Sequence, residues 1–195
     1  MIIIALKKFI CLIGLVLISP LLFICCIFIG LEDGLPLFFK QKRIGLNKVN
    51  FTIYKLRTLK NEAPQVRTHD LEDSIKLKTG SIIRALKLDE FPQLLNVIQG
   101  ELNLVGPRPG LNSDEELRKV RELNGVFEVT PGITGLSQIL GYDMSNPAQL
   151  AHVDQLYIQN QTFQLDLIIL IGTFMKLPRN FLASKFDIPN LKNNE

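Results

Sequence analysis

A block of almost unbroken apolar residues from Phe9 to Gly30, with Pro20 in its middle, constrains this chain more than any other feature. A run of roughly 20 apolar residues is long enough for a transmembrane helix. Lys7 and Lys8 precede it, as in a secretory signal, but no small-x-small cleavage pattern comes after it; Leu31-Glu32-Asp33 stands there instead. Pro20 lacks an N–H and its ring crowds the preceding turn. Each half is then about 10–12 residues, or roughly 16–18 Å of helix, short of the ~30 Å hydrocarbon core. Positive charge flanks both ends, which the positive-inside rule reads as two cytoplasmic ends. Two readings fit these residues. One is a kinked but complete span, the ordinary outcome because prolines are common in transmembrane helices. The other is a re-entrant helix, broken at Ser19-Pro20, that enters and leaves by one leaflet.

The remaining residues have the composition of a single globular domain. The organisation expected is a membrane helix over 1–31, a compact domain over 32–180 and a loose tail over 181–195. Net charge is +3 in 195 residues, which gives no sign of nucleic-acid binding. The cations do cluster: Lys40, Lys42, Arg43, Lys48, Lys55 and Arg57 fall in one short stretch. Such a patch suits an anionic surface or a phosphorylated ligand, and equally a solvated strand face. Cys11, Cys25 and Cys26 all lie in the apolar block and only two histidines exist, so neither a zinc site nor a disulfide framework is expected.

Further along, Leu35 to Arg43 and Asn50 to Leu59 are rich in aromatic and β-branched residues on either side of Gly45-Leu46-Asn47, the pattern of a β-hairpin. Lys55 and Arg57, two apart, are expected to share a strand face. Lys60 to Asp73 is polar and aperiodic, a mobile loop. Helical patterning resumes over Ile82 to Leu88 and again after Asp89, with Phe91, Leu94, Leu95 and Ile98 on one stripe. Ser113 and Glu116 fit a capping box for a helix ending at Asn124-Gly125, and Asn146-Pro147 fit N-cap and N1 of another. Leu165 to Leu177 is apolar but too short to cross a bilayer; it is a core helix or lies at the interface. The fold class expected is mostly α with a small β-hairpin.

Chemistry concentrates in Arg84 to Leu95. Pro92 is tolerated only in a first helical turn, which places Asp89 at or near an N-cap. Capping alone is the commoner role for such an acid. A helix N-terminus also cradles phosphate, and a nucleophilic carboxylate there would stand beside its target phosphorus. Glu90 points about 100° away around a helix, so both acids serve one site only through a metal or ligand. Arg84, Lys87, Lys55, Arg57 and Arg108, the last held between two prolines, supply cations for a diphosphate. They are required: two like charges ~4 Å apart repel by about 4 kcal/mol at an effective dielectric near 20. Left uncompensated, that is roughly three orders of magnitude in rate. No P-loop, G-x-G-x-x-G, H-E-x-x-H or D-x-D is present, so kinase, dehydrogenase and zinc-hydrolase readings fall away.

Taken together these stretches resemble the bacterial sugar transferase family of small monotopic phosphoglycosyl transferases. The matching runs are Ser19-Pro20, Phe39 to Gly45, Tyr54 to Thr58, Leu88 to Leu94, Leu104 to Pro109, Pro131 to Gln138 and Asp154 to Tyr157. The resemblance implies a re-entrant helix broken at Ser19 and Pro20 and a compact interfacial catalytic domain on the cytoplasmic face of the bacterial inner membrane. It implies transfer of a sugar-1-phosphate from a UDP-sugar, often an N-acetylated hexosamine, to undecaprenyl phosphate with release of UMP. Asp89 would be the nucleophile, forming a phosphosugar–aspartyl intermediate; Glu90 would help hold Mg²⁺; Arg84 and Arg108 would bind phosphates. The chain departs from the family's pattern at Lys7-Lys8, Cys11, Lys87 and Gly100 to Asn103, which bears on N-terminal contacts and substrate detail. A homodimer is compatible with this picture. The rival reading is a catalytically silent, membrane-anchored adaptor whose basic hairpin binds acidic lipid; it gives no reason for Asp89-Glu90.

Overall fold

A computed structural model describes residues 2–61 and 75–194, with side chains described from 5 to 61 and from 75 to 192. Most of the expected loop from Lys60 to Asp73 therefore lies outside the described residues. The chain forms two compact units, one of residues 1–41 and 52–99 and the other of residues 42–51 and 100–195.

In the first unit, helix α1 runs from Ile2 to Asp33 and passes through Pro20 without leaving helical structure. The expected interruption at Ser19-Pro20 is thus not a gap in the helix. The physical reason is local: Pro20 cannot donate to the carbonyl of Val16, and the Ser19 hydroxyl donates to that same oxygen instead, at 2.7 Å. Leu22, Cys25 and Ile29 form a buried stripe at three- and four-residue spacing, and Cys11, eleven residues before Leu22, is also buried. Leu22, Cys25 and Ile29 share a core with Leu56, Leu77, Ile83 and Leu88. Leu15, Ile18 and Cys26 pack partly against that core, and most other described apolar side chains of α1 turn outward, Leu17 being 76% and Leu31 79% exposed. Among the described residues, thirteen large apolar side chains of this helix are exposed. At about 1.5–3 kcal/mol for burying each such side chain, leaving them in water costs on the order of 10 kcal/mol or more. That is the surface of a helix made for lipid, and its length and composition suffice to cross a membrane.

The C-terminal end of α1 anchors the segments that pack around it. Asp33 accepts from the Arg57 guanidinium and from the backbone N–H of Asn61. Helix α2, Lys78–Ala85, begins after Leu77, which has no side chain to cap it. The Glu32 carboxylate does so from α1, accepting from the N–H groups of Lys78 and Thr79 at 2.6 and 3.0 Å. A 3₁₀ segment, Leu88–Gln93, then leads into the short helix α3, Leu94–Gln99. Here the expected stripe is corrected: Asn96 and Val97 are buried, while Leu95 faces outward.

The hairpin is present as β1, Phe38–Ile44, and β2, Asn50–Leu56, joined by a 3₁₀ turn over Leu46–Lys48. Its turn end belongs to the second unit. There, β3 (Asn103–Val105) and β4 (Gly132–Thr134) pair in parallel, with Asn103 opposite Gly132 and Val105 opposite Thr134. Three-residue strands are too short to show alternation, and the sequence pattern gives no sign of them. Helices α4 (Glu115–Leu123), α5 (Leu136–Leu140), α6 (Pro147–Gln159), α7 (Phe163–Gly172) and α8 (Lys176–Lys185) complete the unit. The cap of α4 is Asp114, whose carboxylate accepts from Leu117 N–H, and not Ser113. Asn146 and Pro147 begin α6 as expected, and Leu150, Val153 and Tyr157 are buried. The first five residues of the expected loose tail, 181–185, belong instead to helix α8. Pro178 sits at its third position, where an N–H has no helical partner anyway, and Leu182 enters the core. Phe163, Leu167 and Ile171 on α7 and Leu177 and Phe181 on α8 remain exposed.

Candidate active site

Asp89 is 6% exposed, within the 3₁₀ turn that begins after Lys87, a residue held at φ 56°. It lies inside the turn and does not cap a helix. Because α3 has only six residues, its dipole contributes little there. The charges around Asp89 come from side chains. Burial pushes its pKa above the usual carboxylate range; Lys55 pulls it down, Glu90 pushes it up and Arg84 pulls it down. Glu90 is half-buried and accepts from Lys55 Nζ at 2.6 Å. Arg84 Nε donates to the hydroxyl of Thr58 at 3.2 Å, tying α2 to the end of β2. The close seat of α2 requires Gly80: a Cβ there would lie 2.4 Å from the carbonyl oxygen of Thr58.

Four of the expected site residues, Lys55, Arg84, Asp89 and Glu90, thus come together in the first unit. Arg57 has a different position. Its side chain is 5% exposed, ion-paired to Asp33, with Nη2 donating to the carbonyls of Asp33 and Gly34. The expectation that Lys55 and Arg57 project together onto a phosphate gives way to a division: Lys55 reaches Glu90, and Arg57 locks the end of α1. Ser19 and Pro20 lie on α1, far along the chain from these residues. Arg108 belongs to the second unit, in the turn Gly106 to Gly110. That turn lies against β4 so closely that a Cβ on Gly132 would fall 2.1 Å from Gly106 N and one on Gly135 2.3 Å from Gly106 O. Only glycine fits either place.

Several residues that hold the site were not singled out by the sequence. Asn96 is fully buried; its side chain donates to Thr52 O at 2.7 Å and accepts from Tyr54 N, fixing β2 on α3. Asp33 and Glu32 stand out in the sequence only for excluding a cleavage site. Arg121 reads there as a cation complementing the α4 dipole, but it is 1% exposed and paired with Asp154 at 2.7 Å. One signal was available: Arg121 follows Leu117 by four residues and so shares its inward face. Among the described residues no cluster of three or more His, Cys, Asp or Glu could by itself hold a metal ion.

The family pattern described as bacterial sugar transferase matches residues 2–180, and the chain belongs to that family. The uncharacterized sugar transferase EpsL of Bacillus subtilis is 43% identical over 150 residues, covering 76% of this chain and 73% of its own. The UDP-glucose:undecaprenyl-phosphate glucose-1-phosphate transferase of Caulobacter vibrioides is 35% identical over 172 residues, covering 83% of this chain. The UDP-N-acetylgalactosamine-undecaprenyl-phosphate N-acetylgalactosaminephosphotransferase of Aeromonas hydrophila is 33% identical over 178 residues, covering 88% of this chain. This chain spans 64% of the length of the Caulobacter protein and 42% of that of the Aeromonas protein.

Proposed function

We propose that this protein transfers a sugar-1-phosphate from a UDP-sugar to undecaprenyl phosphate, releasing UMP, as the first membrane step of a polysaccharide or glycoconjugate pathway. The observation that carries the reading is a carboxylate, Asp89, 94% withdrawn from solvent yet set beside a Lys55–Glu90 pair and Arg84. A structural acid would be satisfied by one partner; this one sits among two cations and a second carboxylate, a perturbed cluster of the kind that marks a reactive site.

In the first displacement an Asp89 carboxylate oxygen attacks the β-phosphorus. A new P–O bond forms to Asp89, the bond to the bridging oxygen breaks, and UMP leaves with that electron pair. In the second, a phosphate oxygen of undecaprenyl phosphate attacks the same phosphorus and the Asp89 carboxylate is released. Two steps let one carboxylate serve two anionic substrates that need not bind together. Lys55 and Arg84 lower the repulsion as the phosphate approaches, and Arg108 binds substrate phosphate. Mg²⁺ commonly takes one or two carboxylates along with substrate phosphates, so the Asp89-Glu90 pair fits it, Glu90 as the holding ligand; bound there, the ion would supply neutralising charge to the diphosphate.

The membrane side of the reading rests on the outward apolar faces of α1, α7 and α8. The catalytic domain lies at the cytoplasmic interface, where the acceptor's phosphate resides, and α1 is re-entrant. A tag at residue 1 should stay unlabelled from the periplasmic side of intact cells; labelling there would make α1 a complete span.

Purified protein in nanodiscs, supplied with undecaprenyl phosphate and a panel of UDP-sugars including glucose and N-acetylhexosamines, should release UMP with at least one donor. Mass spectrometry of quenched enzyme should find the phosphosugar on the peptide carrying Asp89. An adduct that persists in Asp89→Asn would refute the nucleophile. No UMP from any donor, with liposome binding indifferent to Arg84 and Arg108, would favour a silent lipid-binding adaptor.

A further inference from the structure

Four consecutive carbonyls of the turn that carries Arg108 each accept a hydrogen bond, from four separate donors within the second unit. Gly132 N–H donates to Pro107 O at 2.9 Å and Ile44 N–H to Gly110 O at 3.1 Å. Between them, Arg121 Nη1 donates to Arg108 O at 2.6 Å and Arg43 Nη1 to Pro109 O at 3.1 Å. Pro107 and Pro109 have no N–H, so the turn is short of backbone donors of its own and its carbonyls draw on these outside ones. Arg121 is itself fixed. Its Nη2 donates to Asp154 Oδ2 at 2.7 Å, and the other oxygen of Asp154 accepts from Ser137 at 2.8 Å, all three residues being buried. The Arg43 side chain, which the sequence groups with the basic patch, is half-buried and turned to this carbonyl.

We infer that Arg43 and Arg121 are positioning residues that aim Arg108 at the substrate phosphate by holding its backbone, and do not themselves bind substrate. This rests on the role proposed above for Arg108. An arginine suits the task where a lysine does not. The planar fork of Arg121 satisfies a carbonyl and a carboxylate at once and keeps the two in a set geometry. Two prolines with their carbonyls pinned leave the Arg108 backbone little freedom, so only its side chain is left to order on binding. A misplacement of about 1 Å at such a group can cost up to 10²-fold in rate.

The test uses full-length protein in nanodiscs with whichever UDP-sugar the donor panel identifies. Arg121 sits in a buried ion pair and its variants risk misfolding, so Arg43 is the residue to change. Arg43→Gln should lower kcat/KM for the UDP-sugar about tenfold in the wild-type background and less than twofold when Arg108 is already alanine. Arg43→Lys, which keeps an N–H donor of similar reach for the Pro109 carbonyl, should recover part of what Arg43→Gln loses. Hydrogen exchange at the amides of Arg108 and Gly110 should quicken in Arg43→Gln with the rest of the protein unchanged, a readout that needs no turnover. Equal losses in both backgrounds or unaltered exchange would each overturn the inference. Full activity of Arg108→Ala would instead overturn the role of Arg108, and aiming with it, whatever the exchange shows; no turnover with any donor would fail the proposed function while exchange still judges the anchor.

Discussion

Lys55–Glu90 in the first unit and Arg121–Asp154 in the second are acid–base pairs built for opposite ends. In Lys55–Glu90 the side chains are 15% and 24% exposed; in Arg121–Asp154 both are 2% exposed. Burial pushes the Asp154 pKa up, while Arg121 and the Ser137 hydroxyl hold it down. A pair sealed from water on both sides and hydrogen-bonded at both ends cannot be remade by a ligand; it sets geometry. A pair that solvent can reach, beside a carboxylate with no such dedicated base, can be reopened by an incoming anion or cation at little cost. The difference separates a pair that stays open to a ligand from one committed to the scaffold of its own unit.

Asp89→Asn should have the largest effect on activity, cutting UMP release by about three orders of magnitude or more. The same change should leave the fold intact and raise Tm, because a buried carboxylate costs more to bury than an amide; about 1 kcal/mol corresponds to roughly 2–4 °C in a chain this size. A lower Tm with retained activity would make Asp89 structural and erase the contrast between the units. Next, Asp154→Asn or Arg121→Met alone should destabilise by about 3–5 kcal/mol, as each leaves a buried group unpaired. The double replacement Arg121→Met with Asp154→Leu should recover most of that loss in denaturant titrations, though not the aim of Arg108. Additive losses would mean the two residues act separately.

Lys55→Met and Glu90→Gln should invert that pattern, lowering turnover about 10²-fold while shifting stability by less than about 1 kcal/mol. A stability loss as large as that at Asp154 would show that the pair is a strut. The smallest effect belongs to Ser19→Ala, which removes the donor that replaces the missing proline N–H and should cost about 1 kcal/mol. Circular dichroism in nanodiscs should show α1 retained, with the change confined to exchange near Val16. No change there would mean that the hydroxyl adds nothing to the helix at Pro20.

How much of this could be read in advance depended on the range of the interactions. The hairpin was legible from strand formers around Gly45-Leu46-Asn47, and α6 from Asn146-Pro147, because turns and caps are satisfied by near neighbours. Asp89 and Glu90 stood out for the same reason: Pro92 makes an adjacent acid conspicuous. Asn96 could not be read as a clamp on β2, since its partners Thr52 and Tyr54 lie more than forty positions earlier. The capping acid at 114 displaced its neighbour at 113 by a single residue, a distinction that propensity does not resolve.

The sequence by itself determined that an apolar helix opens the chain, that a basic hairpin comes next, and that an acid pair stands before a proline, because each depends on residue type and short-range backbone chemistry. Only the tertiary structure decided which cations serve the acid pair and which are spent on the scaffold. Lys55 and Arg57 are two residues apart and equally charged, yet one reaches Glu90 and the other Asp33. Charge is a property of the residue; its partner is set by what packing brings within a few ångströms.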